Sequence, residues 1–175
     1  IRNIIIQAKE FKAEELRQIR TESLGVCLRD VEALQTIIKP KPMISASRLV
    51  KTYQIISDKA RSDSRVLGVS HTYSLIQNLK LLQGSFFLPS DEQGNAQVCV
   101  LGIAAKQKLF GFGDVLNQQI KINDTWMKVV GVLSDTVIEK QEFEGVKVQN
   151  PNNDIYIPIT TAVRKLDTEP VENEL

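Results

Sequence analysis

The sequence predicts an α+β chain, and three observations carry that prediction. Apolar and polar residues alternate with period two from 43 to 70 and again at 119–122 and 125–133, the pattern of half-buried strands. Helical spacing occupies 9–22, 30–38 and 104–110. The elements then fall into two unlike halves, a strand–helix–helix–strand run and a set of hairpins with two short helices, with no internal repeat. With 175 residues the chain is one large domain or two small ones. The reading divides it into residues 1–62, residues 63–166 and an acidic tail at 167–175.

Residues 3–8 are compact and β-branched, which predicts a short buried strand. Residues 9–22 carry no Gly or Pro, and Phe11, Leu16 and Ile19 give only a thin apolar stripe, so this helix is half exposed. Gly25 interrupts it. Val31, Leu34, Ile37 and Ile38 share one face of the next helix, which Pro40 and Pro42 stop. Ser57-Asp58-Lys59 turns the strand at 43–57 back into one at 64–69 as a hairpin. Ser70 caps a short helix over 71–78. Gly84 marks a turn, and the polar residues 89–95 read as an exposed loop.

The apolar run 98–102 is a strand leading directly into the helix 104–110, which Gly111 and Gly113 end at positive φ. Asn123-Asp124 closes a tight hairpin between 119–122 and 125–133. In its second strand Trp126, Lys128 and Val130 alternate with Met127, Val129 and Gly131. Residues 134–153 read as a long loop, 154–159 as a last strand and 160–166 as a helical turn.

Composition narrows the function classes. The chain is 42% hydrophobic and 25% charged, ordinary for a globular protein. Its 22 basic and 21 acidic residues leave a net charge of +1, so no nucleic-acid partner is expected. No run approaches the ~20 apolar residues of a membrane span. Ile4-Ile5-Ile6 is too short for a signal core, and a chain that begins at Ile1 reads as a piece of a longer one. Cys27 and Cys99 are too few for a disulfide framework and lack metal-ligand spacing. Cys99 reads as a small buried hydrophobe, and the spacing gives no reason to prefer a Cys27–Cys99 bridge.

Catalytic chemistry is thin. His71 is the one histidine, and as the neighbour of Ser70 in a helix it cannot face that hydroxyl. Gly111-Phe112-Gly113 follows a helix, whereas a phosphate loop precedes one. Asp91 and Glu92 lie in a polar stretch, without the burial that tunes an acid/base pair. No catalytic residue, cofactor or metal is therefore expected. Phe86 and Phe87 after the Gly84 turn, and Phe143 and Val146 in the long loop, are the candidate partner contacts, with core packing as the competing reading.

Four segments in fixed order carry a resemblance. They are Gly68-Val69-Ser70-His71-Thr72-Tyr73, Gly84-Ser85-Phe86-Phe87, the strand and helix ending Leu109-Phe110-Gly111, and the hairpin ending Val129-Val130-Gly131-Val132. Together with Ile157-Pro158-Ile159-Thr160-Thr161-Ala162, they resemble the periplasmic core domain of MacB-type ABC transporter permeases. This group includes the FtsX-like mechanotransmission permeases. Asn117 stands where the family commonly has the glycine of Pro-Val-Gly, and it tolerates the same left-handed conformation.

The resemblance implies a partial porter-like β-α-β subdomain at 1–62 and a sabre-like mixed α/β subdomain at 63–166. It implies a non-enzymatic domain on the periplasmic side of the bacterial inner membrane. There it would relay ATP-driven motion to a periplasmic partner or substrate in efflux or in lipoprotein or peptide export. Implied partners are the four transmembrane helices of the intact permease, a cytoplasmic ABC ATPase carrying the hydrolysis, a periplasmic adaptor protein and a second permease copy. The isolated fragment is then expected to be a monomer or weak dimer. The alternative is a free-standing periplasmic binding module for a peptide, lipid or small ligand.

Overall fold

The computed structural model describes residues 4–6, 27–135 and 150–166. The chain divides into two units, Ile1–Ile44 and Ser45–Leu175.

The first unit contains helix α1 (Leu28–Ile37). The Asp30 carboxylate accepts the Cys27 N–H at 2.7 Å, closing the first turn with an acid where the helix dipole favours one. The strand expected at 3–8 is not found where it can be seen: Ile4, Ile5 and Ile6 are exposed and in no ladder. β-Branched composition makes a strand only where a neighbouring strand accepts its hydrogen bonds. The helix expected at 9–22 lies outside the described residues.

The second unit is built on one mixed sheet. Its strands are β1 (Ser47–Val50), β2 (Ile55–Ile56), β3 (Arg65–Val69), β4 (Leu81–Gly84), β5 (Val98–Leu101), β6 (Gln119–Ile122), β7 (Thr125–Leu133) and β8 (Asp154–Pro158). The helices are α2 (Tyr73–Ile76), α3 (Pro89–Gln93), α4 (Ile103–Phe110) and α5 (Ile159–Thr161), the last running on into a π turn at Ala162–Leu166. The strand order is β1-β3-β8-β5-β7-β6-β2, with β4 also on β7. β3 and β8 are parallel, as are β5 and β7, and the remaining pairs are antiparallel. One edge of β7 pairs β5. Its other edge carries β6 over Thr125–Lys128 and then β4 over Gly131–Leu133, end to end.

Topology forces this sheet to curl. β1 and β2 stand at opposite ends of the strand order, yet only residues 51–54 separate them in sequence. Six spacings of about 4.8 Å would set the end strands of a flat sheet about 29 Å apart. The chain from Val50 to Ile55 reaches at most about 18 Å. The two ends must therefore approach each other. Asn123, at φ 52° in the β6–β7 turn, fastens the connection. Its Oδ1 accepts the Tyr53 N–H at 3.0 Å, its Nδ2 donates to the Lys51 carbonyl at 3.1 Å, and its own N–H donates to the Gln54 carbonyl at 2.9 Å.

The inner face holds the larger core. Val50, Ile55, Val66, Cys99, Leu101, Ile120, Ile122, Met127, Val129, Ile155 and Ile157 from the sheet close around Ala105, Leu109 and Phe110 of α4, with Ala162 and Leu166 of the π turn. On the other face a smaller cluster joins Val69, Val100, Leu133 and Tyr156 to Phe86 and Phe87, flanked by Tyr73 and Leu79. Close packing explains the glycine that opens the Gly68–Tyr73 segment. A Cβ on Gly68 of β3 would overlap the Ala162 Cβ. At Gly84 the constraint is double, since φ is +70° and a Cβ would run into the Val130 carbonyl of β7.

Several expectations hold. The β6–β7 hairpin turns at Asn123-Asp124, Asn117 is left-handed at φ 67°, and β5 runs straight into α4. Others need correction. Residues 89–95 are not all loop, because Pro89 opens α3 and the Asp91 carboxylate accepts the Leu88 N–H at 2.8 Å. Turn-rich composition and helix-start composition are the same residues. Gly111 takes positive φ at 70° but Gly113 does not, since one left-handed residue is enough to end the helix. β1 pairs antiparallel with β3 as expected, but Ile55 and Ile56 leave that hairpin for β6. Helix α2 starts at Tyr73, and the Ser70 hydroxyl accepts the Ala46 N–H at 3.1 Å instead of capping it. Strands from both sides of residue 62 belong to the one sheet of the Ser45–Leu175 unit.

Candidate interaction surface

Phe86 and Phe87 leave the Gly84 turn and both point inward, 8% and 3% exposed. Their ring centroids lie 4.2 Å apart, and Phe86 also meets Tyr156 at 6.4 Å. Tyr73 tilts against Tyr156 at 5.8 Å. Two neighbouring residues can both be buried here because the chain leaves β4 and drops over the sheet face as irregular backbone. Neither ring presents itself to solvent. Phe143 and Val146 lie outside the described residues.

The polar groups that sequence reading weighed as chemistry have structural partners. His71 Nδ1 sits 2.7 Å from Glu92 Oε2, and the same carboxylate oxygen accepts the His71 N–H at 2.9 Å. The Glu92 carbonyl accepts the Thr160 hydroxyl, so this carboxylate residue ties the end of β3, α3 and α5 together. Ser70 is buried and engaged with Ala46. Arg65 grips Asp154 through two bonds of 2.9 Å each, Nε to Oδ1 and Nη2 to Oδ2. Burial pushes the Asp154 carboxyl up against the pull of that guanidinium, and the Arg65 guanidinium is raised in turn by its bond to Asp154. Cys99 is fully buried, and desolvation drives its thiol far up. Among the described residues no cluster of three or more His, Cys, Asp or Glu could hold a metal ion, and both cysteines are free thiols.

What the fold does present is an exposed apolar and aromatic set that sequence reading did not single out. Leu75 of α2, Leu82 of β4 and Leu88 before α3 are exposed around the smaller core. β4 has β7 on one side and, among the described residues, no strand on the other. Phe112 stands 93% exposed between Gly111 and Gly113. Trp126 is 51% exposed on β7, and Tyr53 donates its hydroxyl to Asp124 Oδ2 at 2.5 Å beside the hairpin tip. That bond lowers the Asp124 carboxyl and raises the Tyr53 phenol. The signal for Trp126 was already in the β7 alternation, which put it opposite to the buried Met127. Phe112 had its signal in the flanking glycines, which leave no neighbour to bury it.

Comparison with known proteins supplies the frame for this surface. Residues 3–173 match the model of the MacB-like periplasmic core domain. The chain is 24% identical over 163 residues to the macrolide export ATP-binding/permease protein MacB of Bdellovibrio bacteriovorus, covering 93% of this chain and 24% of that protein. It is 30% identical over 139 residues to the pyoverdine export ATP-binding/permease protein PvdT of Pseudomonas aeruginosa, covering 78% and 20%. The chain thus spans about a quarter or less of the length of these curated relatives. Two solved structures share the fold. The periplasmic region of MacB from Actinobacillus actinomycetemcomitans superposes with a TM-score of 0.59 at 20% identity, over 78% of this chain and 57% of that one. The extracellular domain of the ABC-type transporter YknZ from Gram-positive bacteria gives 0.61 at 19% identity, over 77% and 63%.

Proposed function

Because this chain belongs to the MacB-like periplasmic core domain family, we propose that it is the extracytoplasmic part of an ABC export permease and relays ATP-driven motion to a periplasmic partner or substrate. The single observation that carries the reading is the match of the family model across residues 3–173. In the intact protein, hydrolysis then belongs to a cytoplasmic ATPase domain or subunit. Transmembrane helices flank the domain, and a second permease copy and a periplasmic adaptor complete the assembly. No helix among the described residues is long and apolar enough to cross a membrane. Partner contact is assigned to the exposed set around the hairpin tip and α2, and to Phe143 and Val146.

Localisation tests this directly. The product of the full gene should fractionate with the inner membrane, and Phe112 should be open to protease or to a cysteine-directed label introduced there in spheroplasts. A product without membrane helices that fractionates as a free protein overturns the reading.

A further inference from the structure

Residues 88–97 run along the body of the second unit without sinking into it. Phe86 and Phe87 before them and Cys99 after them are buried, yet no residue of this stretch is. Hydrogen bonds to the body therefore carry much of its attachment. Glu92 Oε2 accepts the His71 N–H at 2.9 Å and lies 2.7 Å from Nδ1 of the same residue. The Thr160 hydroxyl donates to the Glu92 carbonyl, and the Thr161 hydroxyl donates to the Ala96 carbonyl at 2.9 Å. One buried atom is left over. Asn95 Oδ1 has no hydrogen-bond partner among the described residues, which lowers the stability of the stretch.

These bonds meet the unit near its first residues and near its last described ones. Ser70, beside His71, donates its N–H to the Ala46 carbonyl at 3.0 Å, and its hydroxyl accepts the Ala46 N–H at 3.1 Å. Ala46 stands at the start of the Ser45–Leu175 unit. Thr160 and Thr161 belong to α5, which runs on into the π turn at Ala162–Leu166. A series of hydrogen bonds and single peptide steps thus leads from Ala46 through Ser70, His71 and Glu92 to Thr160.

We infer that residues 88–96 form a releasable strap, pinned by Glu92, that ties the chain at Ala46 to α5 and opens while the sheet stays folded. This tie is a property of the chain alone and does not rest on the transport reading. Two features argue for it. A stretch with no buried side chain opens at lower cost than β5 and β7, where Cys99, Val100, Leu101, Met127 and Val129 are buried. Its attachments also converge on one residue, since the Glu92 side chain holds His71 while the Glu92 carbonyl holds Thr160. The competing tie is packing, because Gly68 of β3 lies directly against Ala162.

Native-state hydrogen exchange of the 175-residue chain across a urea series, read by NMR, tests the strap. The amides of Gly94 and Ala96 are bonded inside it, to the Ser90 and Asp91 carbonyls. The Ser70 and Ala162 amides, bonded to the Ala46 and Ile159 carbonyls, report its two ends. Val129, bonded to the Gln118 carbonyl, reports the sheet. In the parent, Gly94, Ala96, Ser70 and Ala162 should exchange through one common opening that is cheaper than the one exposing Val129. Glu92→Ala removes both bonds to His71 and should speed exchange of that group about tenfold or more. If all four amides open only together with Val129, there is no separate strap. If Ser70 and Ala162 part company with Gly94 and Ala96, packing at Gly68 and Ala162 holds the ends and the tie is overturned. An unchanged rate in Glu92→Ala removes Glu92 as the pin and overturns the inference as well. None of these outcomes bears on membrane fractionation, so the strap and the transport reading fail separately.

Discussion

Phe87→Ala separates a core role for the Gly-Ser-Phe-Phe segment from a partner-contact role. Phe87 is 3% exposed and packs against Phe86 at a centroid distance of 4.2 Å. At the low end of aromatic side-chain burial, about 150 Å² at about 25 cal/mol per Å² is worth about 4 kcal/mol. Losing the ring pair adds about 0.5–1.5 kcal/mol, and the total of about 4.5–5.5 kcal/mol lies at the top of, and just above, the range of about 3–5 kcal/mol for buried Phe→Ala. In a chain this size each kcal/mol moves Tm by about 2–4 °C, so Phe87→Ala should melt about 10–15 °C below the parent. Phe112→Ala, at a residue 93% exposed, is the matched control and should stay within about 0.5 kcal/mol. Thermal unfolding followed by far-ultraviolet circular dichroism measures both. If Phe87→Ala keeps the parent's midpoint and instead loses partner binding, the core assignment of this segment is refuted.

Three further outcomes follow from the packing and the buried charges. Gly68→Ala should destabilise by about 1–3 kcal/mol through overlap with Ala162, and adding Ala162→Gly should recover much of the loss; additive effects in this double-mutant cycle would show that the two positions do not touch. Burial holds the Asp154 carboxyl above its ordinary value of 3.8, so its contribution is full below 3.8 and is lost as pH rises through the folded value. The stability of the parent relative to Asp154→Asn should therefore grow as pH falls from neutral towards that value, and a difference that shrinks would mean that Arg65 outweighs burial. In a thiol titration of the native chain, Cys99 should stay silent until urea unfolds the sheet, because it is fully buried with its thiol driven up; reaction of both thiols at once would refute that burial.

Much of the second unit was legible because its signals are local. The Asn123-Asp124 turn, the run from β5 into α4, and the left-handed Asn117 depend on neighbours a few residues away, and the structure reproduces them. What failed depended on remote partners. Ile55 and Ile56 continue the alternation of β1 without a break, and nothing in their own sequence says that β6, more than sixty residues later, is where they pair. Ile4, Ile5 and Ile6 have strand composition but no ladder. Phe86 and Phe87 could not be sorted into core and surface by alternation, since the chain there is not a strand. The exposed face of β7 was half readable: its alternation put Trp126 and Lys128 on one face, but only the register with β6 sets Lys121 and Gln119 beside them.

The short connection at 51–54 has a mechanical meaning. Without it, a push on β1 would reach the hairpin tip only by crossing every ladder between them, each free to shear a little. The four residues and their four hydrogen bonds to Asn123 give the same push a second, short path. A sheet loaded through both paths distributes stress around a loop and resists opening at either end. For the relay proposed above, a sheet joined by both paths would pass displacement from one side to the other with little lost to internal deformation.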